Sequence, residues 1–182
     1  METGFGQKLI RVVVTGPEST GKTNISDFLS RELGAVWIPE YARYYVSSLK
    51  EKYTYSDIEH IAGKQIDDYK KYCQSGSGIV IFDTWLIITK VWFEVVYGKY
   101  PSWLDAGIRD LPVDLYLICA PDIPWEADDV RENGNAAREL LFKRYIEEIG
   151  ALGTAFKIIS GNGRARNLMA LKAVNDLKRI RE

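Results

Sequence analysis

Short apolar runs alternate with amphipathic stretches along the whole chain. Ile10–Thr15, Ala35–Ile38, Ile79–Phe82, Leu115–Cys119 and Phe156–Ile159 are brief, apolar and mostly β-branched. That pattern predicts strands covered on both faces. Between them, apolar residues recur at helical spacing over Lys22–Leu33, Tyr41–Leu49, Ser56–Gln74, Trp85–Tyr97, Ala136–Ile149 and Arg166–Ile180. In the first of these Ile25, Phe28 and Leu29 share a face and Gly34 is a stop signal. Ser56 followed by Glu59 reads as a capping box for the long third helix. Pro101–Pro112 reads as a loop excursion with a short helical turn at Trp103–Asp110, and Pro121–Asn135 as an irregular charged segment in which Gly134 is a hinge candidate. Strands alternating with helices along the chain predict an α/β fold with a parallel sheet. In such sheets ligands lie at the carboxyl ends of the strands. The residues that follow each strand are therefore the ones to examine.

The length of 182 residues suits one domain, residues 1–182, with one sizeable core. A formal net charge of -1 and a pI near 6.0 lack the basic footprint of a nucleic-acid-binding domain, so no nucleic-acid partner is expected. Cys73 and Cys119 are far apart: Cys119 lies in an apolar run and reads as a buried thiol, Cys73 as an exposed one. With His60 the only histidine, a zinc centre or a histidine-dependent triad is not expected. The start of the chain has no signal-peptide pattern and no apolar run is long enough to span a bilayer, so the expected setting is cytoplasmic, without a membrane partner. An aromatic share of 12% suits a pocket that stacks rings.

The chemistry starts at Gly16-Pro17-Glu18-Ser19-Thr20-Gly21-Lys22-Thr23, which fits G-x-x-x-x-G-K-[ST]. A predicted strand precedes it and a predicted helix beginning with Lys22, Thr23 and Asn24 follows, which is the context a phosphate-binding loop needs. Backbone N–H groups and the helix N-terminus form an anion nest there. The two glycines allow a tight turn and close approach to phosphate oxygens. Lys22 is expected to reach the β and γ phosphates of a nucleoside triphosphate, and the Thr23 hydroxyl to hold Mg²⁺.

The other strand ends supply candidate partners. Pro39-Glu40-Tyr41-Ala42-Arg43 follows the second strand. Glu40 there can accept the proton of an attacking hydroxyl, with Arg43 one turn on, or Pro39 and Glu40 simply start a helix. Asp83 ends the third strand in the Walker B manner and would hold Mg²⁺ with Thr23, or cap the next helix. Trp85 is a candidate wall of an acceptor pocket, although Trp92, seven residues on, makes the same stripe consistent with core. After the fourth strand, a lid is expected at about 121–140, with Arg131 and Arg138 as the arginines that would stabilise the transferring charge. The alternative is a solvated charged loop and an ion-paired helix. Ser160-Gly161-Asn162-Gly163 reads equally as a base contact or as an ordinary turn.

Taken in order, the phosphate loop, Trp37-Ile38-Pro39-Glu40-Tyr41-Ala42-Arg43, Phe82-Asp83-Thr84, Thr89-Lys90-Val91-Trp92 and Pro121-Asp122-Ile123-Pro124-Trp125 resemble the ribosylnicotinamide kinase domain of NadR-type proteins. The resemblance implies a P-loop NTPase fold with a five-stranded parallel sheet in the order 2-3-1-4-5. It implies ATP, Mg²⁺ and phosphoryl transfer to the 5′-hydroxyl of nicotinamide riboside. It places Lys22 and Thr23 on phosphate and metal, Asp83 in the metal and acceptor site, and Glu40 and Arg43 on the acceptor side; Tyr41, Trp85 and Trp125 are further candidates for contact with the acceptor. One departure stands out: the family often has Asp-Thr-Asp where this chain has Asp83-Thr84-Trp85. Another is that NadR-type proteins carry an adenylyltransferase domain, and often a DNA-binding domain, before the kinase; neither is expected in this chain.

The residues thus predict an ATP-dependent kinase of a small nucleoside-like acceptor, with Glu40 as first choice for the base and Asp83 as its rival. A regulatory ATPase that signals to a partner is the alternative from another class.

Overall fold

The computed structural model describes residues 8–74, 76–126 and 135–181. Its centre is β1 (Ile10–Thr15), flanked by β3 (Ile79–Asp83) and β4 (Leu115–Cys119); β2 (Val36–Ile38) and β5 (Phe156–Ile159) are the edges. All pairings are parallel and the order is β2-β3-β1-β4-β5. The register sets Val14 against Asp83 and Thr15 against Ile118, so the ends of the three central strands lie side by side.

Helices cover both faces: α1 (Lys22–Leu33), α2 (Tyr41–Ser48), α3 (Tyr55–Tyr72), α4 (Leu86–Tyr97), α5 (Trp103–Asp110), α6 (Asn135–Ala151) and α7 (Gly163–Arg181). One core lies between the sheet and α3, α4 and α6, around Val13, Ile58, Phe82, Leu86, Phe93, Tyr116 and Ile149. The other lies between the sheet and α1 and α7, around Val12, Val14, Ile25, Leu29, Leu117 and Val174. The alternation along β1 explains the division: Val13 faces one side, Val12 and Val14 the other.

Four expectations change. The edge strands are not covered on both faces; three of the four β5 residues are exposed, because an edge strand has no neighbour to complete its cover. The capping box of α3 is formed by Thr54 and Asp57, not Ser56 and Glu59. The Asp57 N–H donates to Thr54 Oγ1 at 3.3 Å and the Thr54 N–H to Asp57 Oδ2 at 2.7 Å, since the helix starts at Tyr55. Cys73 is half-buried, and burial pushes its thiol up. The excursion at 101–112 holds a full eight-residue helix, α5, seated by buried Leu104 and Ile108.

Candidate active site

The loop between β1 and α1 is shaped by a close approach. A Cβ on Gly16, at φ +140°, would lie 2.6 Å from the Cys119 carbonyl oxygen. Only glycine lets β1 turn there against the end of β4. Gly21, at φ 75°, then directs the chain into α1. Within the loop Thr20 Oγ1 and Lys22 Nζ both donate to the Pro17 carbonyl, at 2.8 and 2.9 Å. The ammonium is thereby held across the loop that would receive phosphates.

Two buried arginines hold the loop from behind. Arg166, 3% exposed at the start of α7, donates to Thr20 O at 3.0 Å, Ala120 O at 2.9 Å, Gly161 O at 2.8 Å and Asp122 Oδ1 at 2.6 Å. The other Asp122 oxygen accepts from the Gly161 N–H at 2.6 Å. Arg138, 2% exposed on α6, donates to Ser19 O at 3.1 Å and Ile123 O at 3.0 Å. Arg138 is the second arginine expected in the lid to stabilise the transferring charge. It is folded inward onto the Ser19 and Ile123 backbone carbonyls. Arg131 lies outside the described residues, as do residues 127–134 of the expected lid.

Asp83 ends β3 directly beside the loop. Its Oδ2 accepts from Thr23 Oγ1 at 2.7 Å, and its buried Oδ1 has no hydrogen-bond partner. Burial, and then the neighbouring Glu40 carboxylate, push the Asp83 carboxyl up to about 6; Lys22, the Thr23 bond and Arg43 pull against this. A hydroxyl and a carboxylate joined this closely, with one oxygen uncommitted, form the donor set that a magnesium ion takes. The residues present therefore fit Mg²⁺. Thr84 follows with φ 72°, a strained value for a β-branched residue, and its N–H donates to Val14 O at 2.9 Å. That hydrogen bond ties the end of β3 to the end of β1 and holds the strained turn in place.

A cavity of about 480 Å³ runs from the phosphate loop into the space between α2, α4 and α6. Gly16, Glu18, Ser19, Thr20, Gly21, Lys22, Thr23 and Asn24 line one end, with Glu40 and Arg43 beside them. Pro17 contributes its carbonyl to Lys22 and Thr20 and is not part of the lining. The far end is walled by Tyr53 and Trp92, edge to face at 4.7 Å. There Thr89 Oγ1 donates to Gln65 Oε1 at 2.8 Å, and both residues are buried.

The acceptor-side expectations divide. Glu40 and Arg43 line the cavity. Trp85 does not: it is 1% exposed and packs on Phe82 and Tyr69, because the strained turn after Asp83 sends it into the core. Tyr41 lies outside the cavity with its hydroxyl 2.9 Å from His60 Nε2. Trp125 is half-buried and off the lining, although Ile123, Pro124 and Glu126 beside it are on it. Lys90 of the Thr89–Trp92 run is also elsewhere, bridging Glu148 at 2.9 Å and Asp105 at 3.2 Å. Gln65, Tyr53 and Tyr145 were not singled out from the sequence. A polar signal was present: Gln65 interrupts the buried stripe Ile58, Ile61, Ala62, Tyr69, and Tyr145 lies between Leu141 and Ile149. Nothing in the sequence marks Arg166 as buried.

The sheet order, the glycine-gated loop and the Thr23–Asp83 pair define an α/β protein of the phosphate-loop nucleotide-binding class. The chain belongs to the AAA domain family AAA_28, whose pattern matches residues 11–166. It is 26% identical over 145 residues to the trifunctional NAD biosynthesis/regulator protein NadR of Salmonella typhimurium, covering 76% of this chain and 35% of that protein. The chain thus spans about a third of the length of this curated relative. Among solved structures, NadR in complex with NR superposes with a TM-score of 0.78 at 23% identity, over 93% of this chain and 52% of that one. Deoxyadenosine kinase from M. mycoides superposes with a TM-score of 0.66 at 16% identity, over 92% of this chain and 100% of that one. Among the described residues, no helix is long and apolar enough to cross a membrane.

Proposed function

We propose that this chain is an ATP-dependent kinase of a small nucleoside-like acceptor, with nicotinamide riboside as first candidate and nicotinamide mononucleotide as product. The observation that carries the reading is the continuity of one cavity from the phosphate loop, past Glu40, to the Tyr53–Trp92 wall. A nucleotide hydrolase needs the first part only. The second part offers a ring-sized slot with a polar floor, set where an acceptor hydroxyl would meet a γ-phosphoryl group. The NadR resemblance supports nicotinamide riboside, and the fold shared with deoxyadenosine kinase is compatible with a nucleoside acceptor.

In this reading the loop N–H groups and Lys22 bind the phosphates and neutralise charge on the transferring group. Thr23 and Asp83 would hold Mg²⁺, which would supply positive charge against the phosphates. Glu40 orients the acceptor hydroxyl and takes its proton. Arg43 lies one turn further along α2 on the same lining and balances the carboxylates. Phosphoryl transfer is largely dissociative, so placement and charge outweigh base strength. The segment at about 121–140 acts as the lid, and the chain works as one kinase unit in the cytoplasm.

The test is ADP release from Mg-ATP against a nucleoside panel that includes nicotinamide riboside, with products identified by mass. Strong stimulation with formation of the monophosphate is the expected result. Slow ADP release that ignores every acceptor would instead fit a regulatory ATPase.

A further inference from the structure

A second, small cavity lies between the ends of β2 and β3 and helix α3. Its volume is about 10 Å³, the room of one water molecule. Asp83 and Trp85 both line it, and neither lines the large cavity. Each brings a buried polar atom with no hydrogen-bond partner among the described residues: Asp83 Oδ1, an acceptor, and Trp85 Nε1, a donor. Thr23 takes Oδ2, so Oδ1 is the oxygen left over. Trp85 is 1% exposed, and its ring is fixed by Tyr69 at 5.2 Å and Phe82 at 5.3 Å, so the indole cannot turn to solvent. A buried donor and a buried acceptor left unmet are each costly to the fold.

The two atoms do not bond each other directly. Whatever joins them must accept from an N–H and donate to a carboxylate. A metal cation cannot accept from the indole. A halide cannot donate to Asp83 and is repelled by it. An ammonium group can only donate. Water does both and has the size of the cavity. Two other polar side chains on the lining, Tyr41 and Asp68, are engaged by His60 and Lys64. Gln65, also on the lining, has given its Oε1 to Thr89, and its amide is a further donor for the same water.

We propose that this cavity is a site for one bound water between Trp85 Nε1 and Asp83 Oδ1, and that through it Trp85 is a positioning residue for the carboxylate that would hold Mg²⁺. The water fixes one carboxylate oxygen while Thr23 fixes the other, so the carboxylate is oriented before a metal arrives. A carboxylate oxygen has more than one acceptor site, so the water leaves room for the metal. The outer partners of a ligating group are worth about 10–100-fold in metal affinity. The water site rests on the two buried atoms alone; its effect on the metal rests on the part that the kinase reading gives Asp83.

Two measurements test this, and neither uses an acceptor. The first is a crystal structure of the metal-free wild type at a resolution that shows ordered waters. One water within hydrogen-bonding distance of both atoms is the expected result. No water there, or a protein group bonded to Nε1, overturns the proposal. The second is calorimetric binding of AMP-PNP, with Mg²⁺ and with EDTA, to wild type and Trp85→Phe. The substitution keeps an aromatic ring in the core and removes the N–H. It is expected to weaken AMP-PNP about tenfold with Mg²⁺ and to leave it within about twofold in EDTA. Equal losses in both conditions, or none, overturn the positioning role. If Trp85→Phe does not fold, a benzothiophene side chain at position 85, equal in shape but without the N–H, takes its place. Wild-type affinity that is the same with Mg²⁺ and with EDTA overturns the metal role of Asp83 and with it the positioning role, while the crystal structure decides the water.

Discussion

Thr23 Oγ1 and Asp83 Oδ2 lie 2.7 Å apart, although one begins α1 and the other ends β3. The bond exists because β1 and β3 pair in a register that sets Val14 beside Asp83. Asp83 is thereby a buried carboxylate, held at a cost to the fold. Its folded-state pKa of about 6 stands above the ordinary 3.8, so the folded protein binds this proton more tightly than the unfolded chain does. The charged form is destabilising: the penalty is full above about 6, shrinks as pH falls and is gone below 3.8. Asp83→Asn is expected to stabilise the metal-free protein by about 1–3 kcal/mol at pH 7.5 and to lose this advantage toward pH 4. Urea unfolding at both pH values checks it. Magnesium-dependent ADP formation should fall at least about 10²-fold in the same variant.

Lys22 and Glu40 should differ in weight. With a dissociative transition state, Lys22→Ala is expected to lower kcat/KM by about 10²–10³-fold, and Glu40→Gln by about 10–10²-fold. Steady-state kinetics with an acceptor that the wild type phosphorylates decides the order. Comparable turnover in Lys22→Ala and wild type would remove the site as drawn.

Gly16→Ala is a backbone test. The added Cβ meets the Cys119 carbonyl at 2.6 Å in a conformation that alanine rarely adopts. The loop or the end of β4 must move, and an expected cost of about 2–4 kcal/mol follows. Nucleotide affinity, read by AMP-PNP titration, should fall at least about tenfold.

Arg166 binds four different groups from one buried guanidinium. Arg166→Met leaves three carbonyls and one carboxylate oxygen short of this donor and is expected to cost about 2–4 kcal/mol. Arg166→Lys, with a single ammonium, should recover only part of the stability and of the ATP affinity. If Arg166→Met unfolds at the same urea concentration as wild type, the carbonyls have found other donors.

The scaffold was legible because its signals are local. The periods of α1 and the apolar runs of β1 and β4 fixed their limits to the residue, and the loop motif lay between two of them. The acceptor pocket was less so. Its lining comes from α2, α3, α4 and α6, and no spacing in sequence tells which aromatic of α4 faces the cavity. Trp85 and Trp92 share a stripe, and only the positive φ of Thr84 separates a core side chain from a wall. Arg138 shows the same limit: on a charged helix it resembles a solvent-facing cation until Ser19 and Ile123 are found to offer their carbonyls.

The central place of β1 also has a kinetic side. Ile10 must find Ile79, and Thr15 must find Ile118, before the strand has both neighbours. Such distant pairings close slowly, and they make early β1–α1 structure unprofitable by itself. During synthesis the phosphate loop emerges before β4, yet it cannot acquire its shape until Cys119 has left the ribosome and docked. Nucleotide capture therefore reports the last stage of folding rather than the first, and a chain truncated before β4 should bind no ATP however intact its loop sequence is.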